Sequence, residues 1–254
     1  MTLADLSVSA VLLAALAIGV GMFVQSAAGF GAGLAALPIL LWAGWPLPEA
    51  ICVVVAAATA QLASGVWRYR REIPWPTVWH VTAYRVLAMA PGLFLLIWLD
   101  THADLAKQAI GGAVVVAALL RAAIRVRPRK HLHPAVTAAT GLTSGFLATG
   151  VGIGGPPLVI WASAHRWSNR ATRGVLWAAF LIGIPPYAGL LIWKFGARVI
   201  PGTIVGVGLI PVSLGGMALG MVAVRKLSPT RLRALMLGVL VVFGLATLVQ
   251  PWLA

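Results

Sequence analysis

Acidic residues are nearly missing from this chain. Its 254 residues hold five Asp and Glu against 19 Lys and Arg, and charged side chains make up only 9%. A soluble domain carries roughly 25%. Cys52 is the only cysteine, which excludes an internal disulfide and leaves no Cys-based metal site. No H-E-x-x-H and no G-x-S-x-G occurs, so the common intramembrane hydrolases have no support. The expectation is a protein that is not an enzyme, with no catalytic residue, no metal and no cofactor.

What is present is long, uncharged and apolar. Between Asp5 and Glu49 there is not one Asp, Glu, Lys, Arg or His, and further uncharged runs recur to the C-terminus. Runs of about 18 or more apolar residues read as membrane spans. Strand alternation of the barrel kind is absent, so the spans are helices. A signal peptide would begin with basic residues, yet the first Lys or Arg is Arg68. Residues 6–24 are therefore expected to be a retained first helix. The formal charge of +14 sits mostly in short loops, which fits cytoplasmic loops of a membrane protein and not nucleic-acid binding.

The charges also predict topology. Fifteen of the 19 Lys and Arg fall in four clusters: Arg68/Arg70/Arg71, Arg121/Arg125/Arg127/Arg129/Lys130, Arg166/Arg170/Arg173 and Arg225/Lys226/Arg231/Arg233. Placing all four in the cytoplasm puts Asp5, Glu49, Asp100 and Asp104 outside, together with both termini. The spans lie at about 6–24, 33–45, 50–67, 77–99, 105–123, 134–149, 156–165, 173–193, 200–223 and 231–250. Pro185-Pro186 predicts a kink in the eighth.

A helix over 6–48 would reach about 65 Å, against a hydrocarbon core about 30 Å thick. The chain has to turn once, and Gly29-Phe30-Gly31-Ala32-Gly33 is where it can. The same situation recurs at 134–165, with Gly150-Val151-Gly152-Ile153-Gly154-Gly155-Pro156-Pro157 at the tip. Pro38-Ile39-Leu40-Leu41-Trp42 after the first tip pairs with Pro157-Leu158-Val159-Ile160-Trp161 after the second, at a two-residue gap. Each half has five apolar segments, an odd number, so the second copy should be inverted. The expected fold is an all-α polytopic membrane protein: one transmembrane domain over 1–254, built of two inverted repeats at about 1–125 and 134–254, with Gly-rich hairpins meeting near the midplane. Inverted repeats with interrupted helices are a transporter signature.

Residues 150–155 also satisfy G-x-G-x-x-G, but a dinucleotide fold needs a strand before it and an acid about 20 residues after it. No acid follows at all. The two tips have two readings: close packing of small residues, or non-helical backbone lining a cavity. On the second reading the helix restarts after each tip favour an anion. The candidate binding residues are then Gln25, Ser26, Gly29, Gly31 and Gly33 from the first tip and Thr149, Gly150, Gly152, Gly154 and Gly155 from the second. Arg85 is the one basic residue well inside a span; it either reaches this site or snorkels to the interface. His80 and His165 are expected at the interface. Trp67, Trp75, Trp79, Trp98, Trp167 and Trp193 form the aromatic belt.

These hairpins, with the link Arg166…Arg170-Ala171-Thr172-Arg173 into the next span, resemble the sulfite exporter TauE/SafE family of membrane permeases. The resemblance implies a bacterial inner-membrane carrier for sulfite, sulfonates or related small organosulfur anions. Its partners would be that anion and the lipid bilayer; nucleic acid is excluded, and a homo-oligomer stays open. From the residues alone, a carrier or channel for a neutral or cationic solute remains an alternative. So does a membrane enzyme or assembly partner without transport.

Overall fold

The structure is a computed structural model and describes residues 7–123, 128, 129, 132–226 and 228–252. The expectations for Asp5, Arg125, Arg127 and Lys130, and for the side chains of Arg121, Arg231 and Arg233, lie outside the described residues.

Among the described residues the chain is a bundle of helices without a named strand. They are α1 (Val8–Ala28), α2 (Ala32–Trp42), α3 (Leu47–Tyr69), α4 (Trp75–Leu87), α5 (Met89–Asp100), α6 (Ala103–Ala123), α7 (Pro134–Val151), α8 (Gly155–Ser163), α9 (Asn169–Phe195), α10 (Ile200–Gly208), α11 (Ile210–Lys226) and α12 (Pro229–Val249). Helices α1, α3 and α6 are each long and apolar enough to cross a membrane, and the bent pair α4–α5 passes the same test together. Large apolar side chains such as Leu12, Leu16, Phe94, Trp193 and Leu219 stand exposed around the bundle, as lipid-facing surface requires.

Helix α1 runs four residues further than expected. Gln25 and Ser26 lie in its last turn, and the chain bends only where Gly29 (φ 87°) and Gly31 (φ 104°) take left-handed conformations. These φ values suit glycine because it lacks a Cβ. The Gly29 N–H donates to the Gln25 carbonyl, and α2 restarts at Ala32. The second hairpin turns at Gly152 (φ 72°), whose N–H donates to Ala148 while that of Ile153 donates to Leu147.

Two expected single spans are broken. Helices α4 and α5 meet at Ala88 with a 44° bend, three residues before Pro91, and α10 and α11 meet at Leu209, two residues before Pro211. Proline lacks the N–H for the carbonyl four residues earlier and crowds it. Helix α9, by contrast, carries Pro185 and Pro186 without interruption.

The apolar helical stretch 169–208 is not one 40-residue span. Along α3, Gly65 lies against Trp177, Ala58 and Val54 share a cavity with Gly183 and Tyr187, and Glu49 meets Arg198. Helix α9 is thus antiparallel to α3. Gly202 and Gly206 of α10 approach the carbonyls of Glu49 and Val53, so α10 is parallel to α3. The chain reverses between them at Gly196 (φ 55°).

Glu49, Asp100 and Arg198 consequently share one end of the bundle, whereas Glu72, Ser168 and Arg170 share the other. The α1–α2 hairpin enters from the Glu49 end, and the α7–α8 hairpin enters from the Glu72 end. Their tips touch: a Cβ on Gly33 would lie 2.5 Å from the Gly152 carbonyl oxygen, and one on Gly155 would lie 3.0 Å from the Phe30 ring.

Packing elsewhere rests on small residues four apart. Gly141 and Gly145 seat α7 on α4, Gly202 and Gly206 seat α10 on α3, and Gly216 and Gly220 seat α11 on α1. Lipid offers no hydrophobic gain for helix association, so close backbone approach is what holds such pairs.

Candidate anion site

The two glycine tips and the middles of α3 and α9 enclose a cavity with about 110 Å³ open to the centres of water molecules. Gln25, Gly31 and Gly33 line it from the first hairpin, Gly152, Gly154 and Gly155 from the second, and Arg85 from α4. The other sequence candidates lie off its wall. The Ser26 hydroxyl donates to the Phe23 carbonyl and packs against Gly220 of α11. The Gly29 carbonyl accepts from the Trp177 indole, Thr149 faces Gly92 of α5, and Gly150 packs against Leu95.

Arg85 is 5% exposed, although it sits in the last turn of α4 beside the break at Ala88. Its guanidinium turns inward. Nε donates to the Ser144 hydroxyl at 3.0 Å and Nη1 to the Ala179 carbonyl at 2.7 Å. Ser144 in turn donates to the Gly154 carbonyl at 2.6 Å. One chain of hydrogen bonds therefore ties the cation to the tip of the second hairpin. The Arg85 backbone lies directly against Gly145, so a larger residue there would push α4 from α7. No ion pair involves Arg85 among the described residues.

Two more polar groups reach the cavity wall without a partner. The Gln25 amide nitrogen and the Tyr187 hydroxyl are both buried and make no hydrogen bond. A buried polar atom left unsatisfied costs about 1–3 kcal/mol, so such atoms point to a missing partner. The N–H groups of Ala32, Gly33 and Leu34, in the first turn of α2, also lack intrahelical acceptors. Helix α8 offers less, because Pro156 and Pro157 have no N–H to give. The rest of the wall is apolar, including Val54, Val55, Phe180 and Ile184, and among the described residues no Asp or Glu lines it. Each of these cavity groups can donate a hydrogen bond. The arrangement is complementary to an oxyanion.

Residues 13–247 match the family described as Sulfite exporter TauE/SafE. The chain belongs to this family. No curated protein and no solved structure matches it. Membership makes it a multi-pass membrane transporter of the sulfur-anion type.

Tyr187 and Ser144 were not among the sequence candidates. Tyr187 follows Pro185-Pro186 in an apolar run, and Ser144 lies in a helix rich in small residues. Neither pattern reveals which face turns to the tips. A polar residue opposite a glycine tip was the only available signal.

At the two ends the electrostatics are ordinary for a membrane protein. Arg198 binds Asp100 through two nitrogens (2.5 and 2.7 Å) and Glu49 through Nε at 2.8 Å. The Asp100 hydrogen bonds, assisted by Glu49, hold its guanidinium charged even more firmly than usual. His165 stacks on Trp167 at 3.9 Å, and burial pushes its imidazole below the ordinary value.

Proposed function

We propose that this TauE/SafE protein carries sulfite, sulfonates or related small sulfur oxyanions across the bacterial inner membrane by alternating access. The anion would bind between the two glycine tips. The observation that carries this reading is the set of donors without partners around a cavity free of acid: Gln25 Nε2, the Tyr187 hydroxyl and the first-turn N–H groups of α2. Arg85 supplies the charge. A cationic substrate would meet this guanidinium with no carboxylate to offset it, which disfavours the alternative of a cation carrier.

The repeat reading has support from the hairpins, which enter from opposite ends, and from matching breaks at Ala88 and Leu209. On this reading α1 to α6 form one repeat of a single domain and α7 to α12 its inverted copy. Rocking of one against the other would expose the tips to each side in turn. Arg68, Arg70, Arg71, Arg166, Arg170 and Arg173 flank the bundle end of Glu72, which favours that end as cytoplasmic and both termini as outside.

Purified protein tests the reading directly. Sulfite or a sulfonate should raise its unfolding temperature, because a ligand of the native state stabilises by mass action. The same anions should cross proteoliposomes that contain this protein alone. No shift and no flux with sulfite, sulfonates or carboxylates refutes it, and turnover without flux favours a membrane enzyme.

A further inference from the structure

We infer that the cavity selects singly charged sulfur oxyanions, alkanesulfonates and hydrogen sulfite, over doubly charged ones such as sulfate and the sulfite dianion. The inference rests on the anion-site reading above. It follows from counting charge around the cavity.

Among the described residues, Arg85 is the only charged side chain on the wall. Both of its hydrogen-bond acceptors, Ser144 Oγ and the Ala179 carbonyl, are neutral. Its charge therefore stands uncompensated. Helix ends largely offset one another, and Arg173, which donates to the Ala27 carbonyl in the last turn of α1, lies off the cavity wall. The N-termini of α2 and α8 each bring roughly half a positive charge, but the C-termini of α1 and α7 arrive at the same tips with about the opposite amount. Gln25 Nε2 and the Tyr187 hydroxyl can bind oxygens without adding charge.

One negative charge thus makes the occupied cavity neutral. A second would leave a net negative charge among Val54, Val55, Phe180 and Ile184, where an unpaired ion is strongly disfavoured. The apolar wall has the opposite effect on an alkyl substituent, which gains by leaving water. Hydrogen sulfite and the sulfite dianion interconvert near neutral pH, so the selected form can be read from a pH series. Methanesulfonate stays singly charged throughout and serves as the control.

The test is a binding titration on the wild-type protein in detergent at constant ionic strength. Methanesulfonate, ethanesulfonate and sulfate are compared at one pH, and sulfite and methanesulfonate from about pH 6 to about pH 8. The expected result is at least about tenfold weaker binding of sulfate than of methanesulfonate, a difference of about 1.4 kcal/mol. Apparent sulfite affinity should fall roughly five- to tenfold across the series, as the singly charged form disappears, while that of methanesulfonate stays level. Sulfate binding as tightly as methanesulfonate, or sulfite affinity that rises with pH, overturns the selection and leaves the anion site standing. Absence of binding by any of these anions overturns the anion site itself.

Discussion

Arg85 and Ser144 lie on different helices, and the guanidinium Nε donates to the serine hydroxyl at 3.0 Å. Ser144 passes the interaction on to the Gly154 carbonyl at 2.6 Å, so the cation is hydrogen-bonded through one serine to the second hairpin tip. No other described residue on the cavity wall carries charge. Replacing Ser144 with Ala should leave Nε without its acceptor, a loss of about 1.5–3 kcal/mol for a bond to a charged group. Sulfite affinity, read from the concentration dependence of the unfolding temperature, should drop in Ser144→Ala. An unchanged affinity would show that Ser144 does not position Arg85.

Tyr187 separates binding from stability. Its hydroxyl has no partner among the described residues, so Tyr187→Phe should unfold no earlier than wild type. The lost donor should still weaken anion binding by roughly tenfold or more, the value of a hydrogen bond to a charged group. Equal affinity in the two proteins would remove Tyr187 from the site.

Gly145 and Gly189 make a matched pair. A Cβ on Gly145 would collide with the Arg85 carbonyl, whereas nothing lies within 4 Å of one on Gly189. Gly145→Ala should be destabilised by about 1–3 kcal/mol or more through overpacking, with anion binding impaired as Arg85 shifts. Gly189→Ala should be neutral or slightly stabilising. Thermal unfolding of both variants checks the contrast.

Arg198 anchors the end of the bundle where α3, α5 and the α9–α10 turn meet. The Glu49 side chain is 1% exposed, and Arg198→Ala would leave it charged and alone. A cost of about 3–5 kcal/mol is expected. Adding Glu49→Gln to Arg198→Ala should restore part of it, which unfolding measurements on the single and double variants would reveal.

His165 predicts an acid-side loss of stability. Burial is the larger influence and lowers its pKa, although the Trp161 carbonyl opposes this. The unfolded chain therefore binds the proton more readily than the fold does. This residue's contribution is complete above the ordinary value of about 6.5 and is lost as pH falls through the lower folded value. The unfolding temperature of wild type should fall more than that of His165→Gln over that window. Parallel pH profiles would exclude the effect.

Much of this was legible in the sequence because membrane thickness constrains apolar chain so strongly. Forty-three uncharged residues had to turn, and Gly29 to Gly33 placed three glycines within five residues near their middle. The breaks at Ala88 and Leu209 were also written there, in Pro91 and Pro211, although each looked like one continuous span. Pro185-Pro186 carried the same signal without the break, since α9 continues through both. Side-chain direction was not legible. Ser26 and Thr149 sit beside the tips yet turn to α11 and α5, while Tyr187 comes from a helix far along the chain. Which face a residue presents is decided by glycine contacts between helices distant in sequence, and those emerge only once the bundle is assembled.

The central claim is that the sulfur oxyanion lies between the glycine tips. Its most direct test is a crystal of this protein soaked with 2-bromoethanesulfonate, with the bromine located by anomalous scattering. The predicted result is a peak in the cavity beside Gly33, Gly154 and Tyr187, lost in Arg85→Gln. A peak elsewhere, or none at a concentration that saturates binding in solution, would contradict it.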